Sequence, residues 1–153
     1  MTAWTILAVG KARPGPEQAL FDHYQMRLRG RLHLVEVEEK RPLPVETRKL
    51  REAELLLDRL PRNARLVVLD ERGQDIDTLS LARCLKRWSE EALPVVAFAI
   101  GGADGHGEAV LQRADMTISM GRMTWPHMLV RALVAEQLYR VACIHSGHPY
   151  HRE

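Results

Sequence analysis

The chain has 153 residues, the size of one domain, and 46% of them are hydrophobic, which is enough for a substantial core. Lys and Arg number 22 against 20 Asp and Glu, so net charge gives no indication of nucleic-acid binding. Two cysteines are too few for a disulfide framework, and neither a secretory signal nor a bilayer-spanning run is present. We therefore expect a soluble cytoplasmic protein with one domain, residues 1–153.

Short apolar runs indicate β-strands, and helical patterns lie between them. The strand-like runs are residues 4–9, 32–37, 65–70, 95–100 and 116–120. Apolar residues recur at helical spacing in residues 16–28, 46–60 and 78–91. Strands that alternate with helices predict an α/β fold with a largely parallel sheet.

A further helix is predicted to follow Pro126, because proline suits a first helical turn. Residues 127–143 are apolar on nearly every face, and such a helix must be covered on several sides. In so short a chain we expect a second copy to supply part of that cover. Glu136 and Arg140 are four residues apart and are expected to form an ion pair.

The strand-like run 95–100 ends in a glycine-rich loop, residues 101–107. This loop matches neither the phosphate-binding P-loop nor the dinucleotide fingerprint. It is either a tight turn or a ligand site at the carboxyl end of a parallel strand, where open α/β sheets bind ligands. The pattern alone does not choose between these two interpretations.

Two other predicted strands end in the same way, in glycine-containing loops after residues 65–70 and 116–120. We expect the three loops to converge on one pocket, because the carboxyl ends of parallel strands share one edge of the sheet. Asp70 and Asp104 are either hydrogen-bond acceptors for a ligand or solvated turn carboxylates.

Several motifs occur in a fixed order along the whole chain. They are ILAVGK at 6–11, VVLDERG at 67–73, IGG at 100–102, PHMLVR at 126–131, AEQLYR at 135–140 and PYHRE at 149–153. In this combination the sequence resembles the ribosomal RNA large subunit methyltransferase H family of SPOUT-class methyltransferases. The resemblance implies an α/β domain with a C-terminal trefoil knot that works as a homodimer.

The resemblance also implies an activity. The family transfers a methyl group from S-adenosyl-L-methionine to N3 of a pseudouridine in 23S rRNA within assembled ribosomes. The expected partners are therefore a second copy of the chain and 23S rRNA, with no membrane and no DNA. A knotted tRNA methyltransferase and a non-catalytic ribosome-associated factor remain as alternatives.

The family's cofactor contacts fall on one set of positions here: Leu69, Gly102, Gly121, Arg122, Met123, Thr124, Trp125 and Pro126. S-adenosylmethionine has no phosphates, so backbone amides and apolar walls are expected in place of a phosphate cradle. The chain departs from the family's usual residues at Ala103-Asp104, Trp125 and Met128. The first two departures bear on loop stiffness and pocket shape.

Methylation of an imide nitrogen requires a base or a positive group near the acceptor. His127 has a suitable pKa range, although it is equally suited to shaping the loop. The resemblance implies that Tyr150, His151 and Arg152 belong to a tail that closes over the partner's cofactor site and contacts the RNA. The alternative interpretation of this tail is a solvated chain end. Arg131 is a further catalytic candidate, or else a partner in helix ion pairing.

No metal is predicted. Histidines recur every third residue near the end of the chain, at positions 145, 148 and 151. They lack cysteines or carboxylates at ligand spacing, which zinc sites usually require.

Overall fold

The computed structural model describes residues 2–152, and this part of the chain contains five strands and five helices. In chain order they are β1 (Ala3–Val9), α1 (Pro16–Arg27), β2 (Leu32–Val37), α2 (Val45–Asp58), β3 (Arg65–Asp75), α3 (Thr78–Glu90), β4 (Val95–Ile100), α4 (Glu108–Arg113), β5 (Met116–Ser119) and α5 (His127–Ser146). The predicted strands and long helices are confirmed, with ends that differ by one to a few residues.

All described strand pairs are parallel, in the order β2-β1-β4-β3-β5. The central strand β4 is an unbroken apolar run, and Phe98 lies opposite Ile6 of β1 and Val67 of β3. A continuous apolar run is typical of a parallel strand that is covered on both faces. The predicted α/β fold with a parallel sheet is thus confirmed.

Helices cover the sheet on both faces, because alternate residues of a strand point in opposite directions. In β1, Ile6 packs into a cluster with α1, α3 and α5, while Leu7 packs into a second cluster with α2 and α4. The first cluster is the larger one. Three helices on one face and two on the other give three layers.

Two features differ from the sequence prediction. Strand β3 continues past residue 70 to Asp75, with a register shift against β5 between Leu69 and Gln74. Gly73 allows this extension, since a Cβ there would stand 2.6 Å from the carbonyl carbon of Ile118. The second feature is α4, which has only six residues, too few to show a helical period in the sequence.

Helix α5 is covered on two sides by its own chain, since it packs on α1 and α3. The predicted pair within α5 is confirmed: Arg140 Nε donates to Glu136 Oε1 at 2.9 Å. The helix ends at Gly147, whose φ of 77° is a left-handed conformation that suits glycine. Within residues 2–152, neither α5 nor another helix is long and apolar enough to cross a membrane.

The contact at Gly73 makes a testable prediction about the β3 extension. Gly73→Ala should lower the free energy of unfolding by about 1–3 kcal/mol, because the added methyl group meets the Ile118 backbone. Gly15→Ala is the control, since a Cβ there lies 3.5 Å from Glu17 Oε2, an ordinary contact. Urea unfolding of both variants measures the difference, and equal stabilities would contradict the prediction.

Candidate functional site

A cleft of about 640 Å³ lies at the carboxyl ends of β4 and β5, beside the second half of β3. The expected convergence of three segments on one pocket is confirmed, but only the segments after β4 and β5 are loops. The third wall, Leu69 to Arg72, belongs to the extended strand β3 and not to a loop after it. The cleft is lined by seven of the eight residues expected to contact a cofactor: Leu69, Gly102, Gly121, Met123, Thr124, Trp125 and Pro126. Arg122, the eighth, is exposed and lies outside the lining.

The wall from β3 contains Leu69 and Asp70. Burial acts to raise the pKa of Asp70, but hydrogen bonds from the backbone and the guanidinium of Arg72 outweigh it, and the pKa is lowered. The Asp70 carboxylate is therefore ionised and already paired.

The wall from β4 is the glycine-rich loop, which folds back on itself. The amide of Gly105 donates to the carbonyl of Gly102 at 3.1 Å, and Gly105 has a φ of 82°. A Cβ on Gly102 would stand 3.1 Å from Val9 Cγ1, so a side chain there would displace the loop. The loop is thus both a tight turn and a wall of the cleft.

The wall before α5 is held by its own hydrogen bonds. Ser119 Oγ donates to the carbonyl of Gly121 at 2.7 Å and accepts from its amide at 3.1 Å. Trp125 Nε1 donates to the carbonyl of Met120 at 3.2 Å. Met123 and Trp125 nevertheless remain exposed, at 74% and 42%, so this wall offers apolar surface to a ligand.

His127 begins α5 and also lines the cleft. Burial and the positive charge of Arg131 both lower its pKa, so the neutral imidazole is the dominant form at pH 7. A Cβ on Gly10 would lie 4.0 Å from His127 Nε2. The end of β1 therefore comes close to the imidazole without a side chain between them.

Arg131 does not line the cleft. It is 2% exposed, and its guanidinium contacts Glu36 Oε2 at 2.6 Å and the carbonyls of Gly10 and Val9 at 2.8 and 3.2 Å. These bonds tie the first turns of α5 to the ends of β1 and β2. The expected ion pairing of Arg131 is therefore found, but its partner lies on β2 rather than on its own helix.

Sequence reasoning missed His106, which also lines the cleft. Its side chain is 6% exposed, and Nε2 lies 3.2 Å from the carbonyl oxygen of Ala99. Burial lowers the pKa of His106 more than the nearby carbonyl and Asp70 raise it. Its position between two glycines was the available signal, because flanking glycines allow a polar side chain to turn inward.

The tail lies at the other end of α5. Tyr150 packs edge-on against Tyr139, its hydroxyl donates to Glu136 Oε1 at 3.2 Å, and Arg140 lies 4.7 Å above its ring. Burial, Tyr24 and Glu136 raise the pKa of Tyr150. The hydroxyl is therefore protonated at neutral pH.

The other tail candidates do not line the cleft either. His151 Nδ1 is 3.3 Å from Arg140 Nη1, and Arg152 is exposed. The tail folds back along α5, since Tyr150 contacts Glu136, which lies about 14 Å along the helix from His127. Within one chain the structure does not bring Tyr150, His151 or Arg152 to the cleft.

Comparison with known proteins gives the class of this fold and site. Residues 2–151 match the family model described as "Predicted SPOUT methyltransferase". The chain belongs to the SPOUT methyltransferase family. The resemblance noted from the sequence motifs is thereby confirmed.

Two relatives are similar over almost their full length. Proteins from Rhodospirillum rubrum and Paramagnetospirillum magneticum are 62% and 59% identical, each over 96% of this chain and 97% of the relative. Both are named "Ribosomal RNA large subunit methyltransferase H". A crystal structure of a probable methyltransferase from Bordetella pertussis has a TM-score of 0.59 at 15% identity, covers 92% of this chain and 96% of its own, and supports the fold.

The environment of His127 makes a prediction about pH. Its pKa should lie below the ordinary value of about 6.5, because burial and Arg131 disfavour the imidazolium. Below about pH 6.5 the unfolded chain therefore binds more protons at this residue than the folded chain does. The contribution of His127 to the free energy of unfolding is thus present above about pH 6.5 and decreases as the pH falls below it.

NMR titration of the ring signals, assigned by comparison with His127→Gln, measures this pKa directly. A midpoint at or above that of an unfolded histidine peptide would contradict the prediction.

Proposed function

We propose that this chain is an S-adenosyl-L-methionine-dependent methyltransferase that methylates N3 of a pseudouridine in 23S rRNA within assembled ribosomes, in the cytoplasm. The observation that carries the proposal is the cleft: residues that the resemblance assigns to the donor come from strand β3 and from two separate loops, and they line one cavity. The family match and the names of the relatives support the same reaction class and an rRNA substrate.

The cleft fits S-adenosylmethionine on three counts. Its volume of about 640 Å³ lies in the usual range for small-molecule sites. Its walls combine backbone of the glycine-rich loop with the apolar side chains of Leu69, Met123 and Trp125, and such walls suit an adenosine without phosphates. Behind Gly102, the buried Oε1 of Glu52 has no hydrogen-bond partner in the described residues, which suits a cationic ligand.

The donor supplies an electrophilic methyl group when it is bound. The chain's own task is to align the acceptor and remove the N3 proton. We assign the removal of that proton to His127, because its neutral imidazole lines the cleft and can accept a proton. Arg131 does not contact the acceptor. Its hydrogen bonds hold the first turn of α5, and with it His127, against the end of β1.

The proposal includes a homodimer in which each tail completes the partner's cleft. Tyr150 would contact the target base, and Arg152 would stabilise negative charge on the imide or on a phosphate, with His151 beside them. The position of the tail supports this arrangement, because Tyr150 is held against Glu136 and Tyr139 and does not line the cleft of its own chain. Leu20 and Met26 on α1 are exposed, at 39% and 78%, and offer apolar surface for a second copy.

The proposal also includes the trefoil knot and the assignment of residues 1–153 to one SPOUT methyltransferase domain. Both follow from the resemblance. The supporting observation is that β3 and the segments after β4 and β5 all pack around one cleft, and that the β3 extension approaches the backbone of β5 closely at Gly73.

Labelled S-adenosylmethionine tests the reaction. The protein is incubated with ribosomes from cells that lack the modification, and separately with free 23S rRNA and bulk tRNA. We expect label at a single pseudouridine, on ribosomes far above naked RNA, with the product nucleoside identified by mass. Label on tRNA would show that the substrate is tRNA and not 23S rRNA. Donor binding without label on any RNA would indicate a non-catalytic factor.

Mixed dimers test whether the tail acts in the partner's site. A chain without residues 148–153 keeps its cleft, and a Gly102→Trp chain keeps its tail but has a disrupted loop. Co-expressed with two tags and purified as heterodimers, they should recover about half of wild-type activity, because one complete site forms in trans.

The reciprocal heterodimer is the matched control. It pairs the wild-type chain with a chain that carries both changes, and it should be inactive if the tail acts in trans. Half activity in this control, with none in the first heterodimer, would place the tail in the cleft of its own chain. Circular dichroism and native mass spectrometry check folding and dimer composition.

A further inference from the structure

Glu52 on α2 is a buried carboxyl group that the reaction described above does not use. It is 8% exposed, and its Oε1 has no hydrogen-bond partner among residues 2–152. A buried polar group without a partner is unfavourable, and a buried unpaired charge is more so. Such a group therefore calls for a physical explanation.

The carboxyl group faces the back of the glycine-rich loop. Its Oε2 and Oε1 lie 3.6 and 3.7 Å from the position that a Cβ on Gly102 would occupy. Gly102 itself lines the cleft. Only the backbone of a glycine therefore separates the carboxyl group from a ligand that contacts this loop.

The charges around Glu52 do not neutralise it. Arg48 is the nearby cation, but its guanidinium is engaged by Asp104 at 3.2 Å and by the carbonyl of Leu43 at 2.8 Å. Burial raises the pKa of Glu52; Arg48 opposes this, whereas Asp104 and Glu39 raise it further. The carboxyl group is thus held nearer to its neutral form than an exposed glutamate.

We propose that Glu52 is the counter-charge of a cation subsite on the cleft side of the glycine-rich loop, and that it acts across the backbone of Gly102 on the positively charged sulfonium or ammonium group of the methyl donor. This inference rests on the proposed function, because it assumes that the cleft binds S-adenosylmethionine. A cation at Gly102 favours the ionised carboxylate, since the low-dielectric surroundings strengthen their attraction. The carboxyl O–H bond then breaks, and its proton passes to the solvent.

The sign of the pH dependence follows from this coupling. Below the raised pKa of Glu52 the carboxyl group is neutral, and donor binding must release its proton. Donor affinity should therefore rise as the pH rises through that pKa and become constant above it. The charged residues around Glu52 are not substituted in any variant. They are Arg48 and Lys49 on α2, Asp104 in the glycine-rich loop and Glu39 after β2.

Isothermal titration calorimetry of the full-length protein with S-adenosylmethionine tests the subsite between pH 5 and pH 8. Two buffers of different ionisation enthalpy give the number of protons released by wild type. We expect release at the acidic end, and less release in Glu52→Gln, in which only other groups such as His106 and His127 can still lose protons. The variant should bind the donor about tenfold more weakly at pH 8 and show a flatter pH profile.

Glu54→Gln is the matched control, because Glu54 lies on the same helix but is exposed and paired with Arg51 at 3.1 Å. It should keep the affinity and proton release of wild type. Glu52→Asp keeps the charge and should retain part of the pH dependence. A purely structural role would instead predict that Gln, which has the same shape, preserves the profile.

S-adenosylhomocysteine separates the two cationic groups, because it lacks the sulfonium charge but keeps the ammonium group. A loss in Glu52→Gln that is confined to S-adenosylmethionine assigns the subsite to the sulfonium, and an equal loss with both ligands assigns it to the ammonium group. Unchanged binding of both ligands, with unchanged proton release, would overturn the inference and leave the proposed function standing.

Failure of wild type to bind either ligand would instead overturn the proposed function together with the inference. Glu52→Asp keeps the carboxyl group, so the difference between it and wild type tests the subsite even if Glu52→Gln disturbs folding. Thermal unfolding of each variant identifies such a disturbance.

Discussion

The buried guanidinium of Arg131 is the interaction on which the geometry of the site depends. It reaches from α5 to the carbonyls of Val9 and Gly10 and to the carboxylate of Glu36, so one side chain joins a helix to two strands. Both terminal nitrogens of the guanidinium are paired, whereas its buried Nε has no partner in the described residues. Removal of one partner from a buried ion pair typically costs about 3–5 kcal/mol. The position of His127, one turn earlier, follows from this attachment.

Burial disfavours the charged forms of three ionisable groups in or beside the cleft. It lowers the pKa of His106 and His127 and raises that of Glu52. At Asp70 burial acts in the same direction, but the charge and hydrogen bonds of Arg72 outweigh it and lower the pKa. A cleft with neutral histidines and one uncompensated carboxyl group beside it suits a cationic ligand better than a phosphate.

The environment of α5 changes along its length, and this bears on how the site works. At the start of the helix, His127 lines the cleft; along its middle, Glu136, Tyr139 and Arg140 enclose Tyr150 of the tail. The tail thus has a defined position within its own chain. In the proposed complex with a second copy and RNA, such preorganisation would reduce the entropy lost on binding.

The sequence by itself determined the strands and the long helices, because apolar periodicity reports directly on which residues are buried. It also determined where the cleft lies, since loops that follow parallel strands share one edge of the sheet. The β3 extension and α4 escaped prediction because one depends on a backbone contact between Gly73 and Ile118 and the other is too short for a period.

Only the tertiary structure decided which side chains surround the site. Glu52 and Lys49 lie on α2, about fifty residues before the glycine-rich loop, and their sequence surroundings resemble any amphipathic helix. Arg131 was expected at the reacting atoms or in a pair along its own helix, yet it binds residues more than ninety positions away. Local patterns record burial, whereas contacts between distant segments form only when the layers pack together.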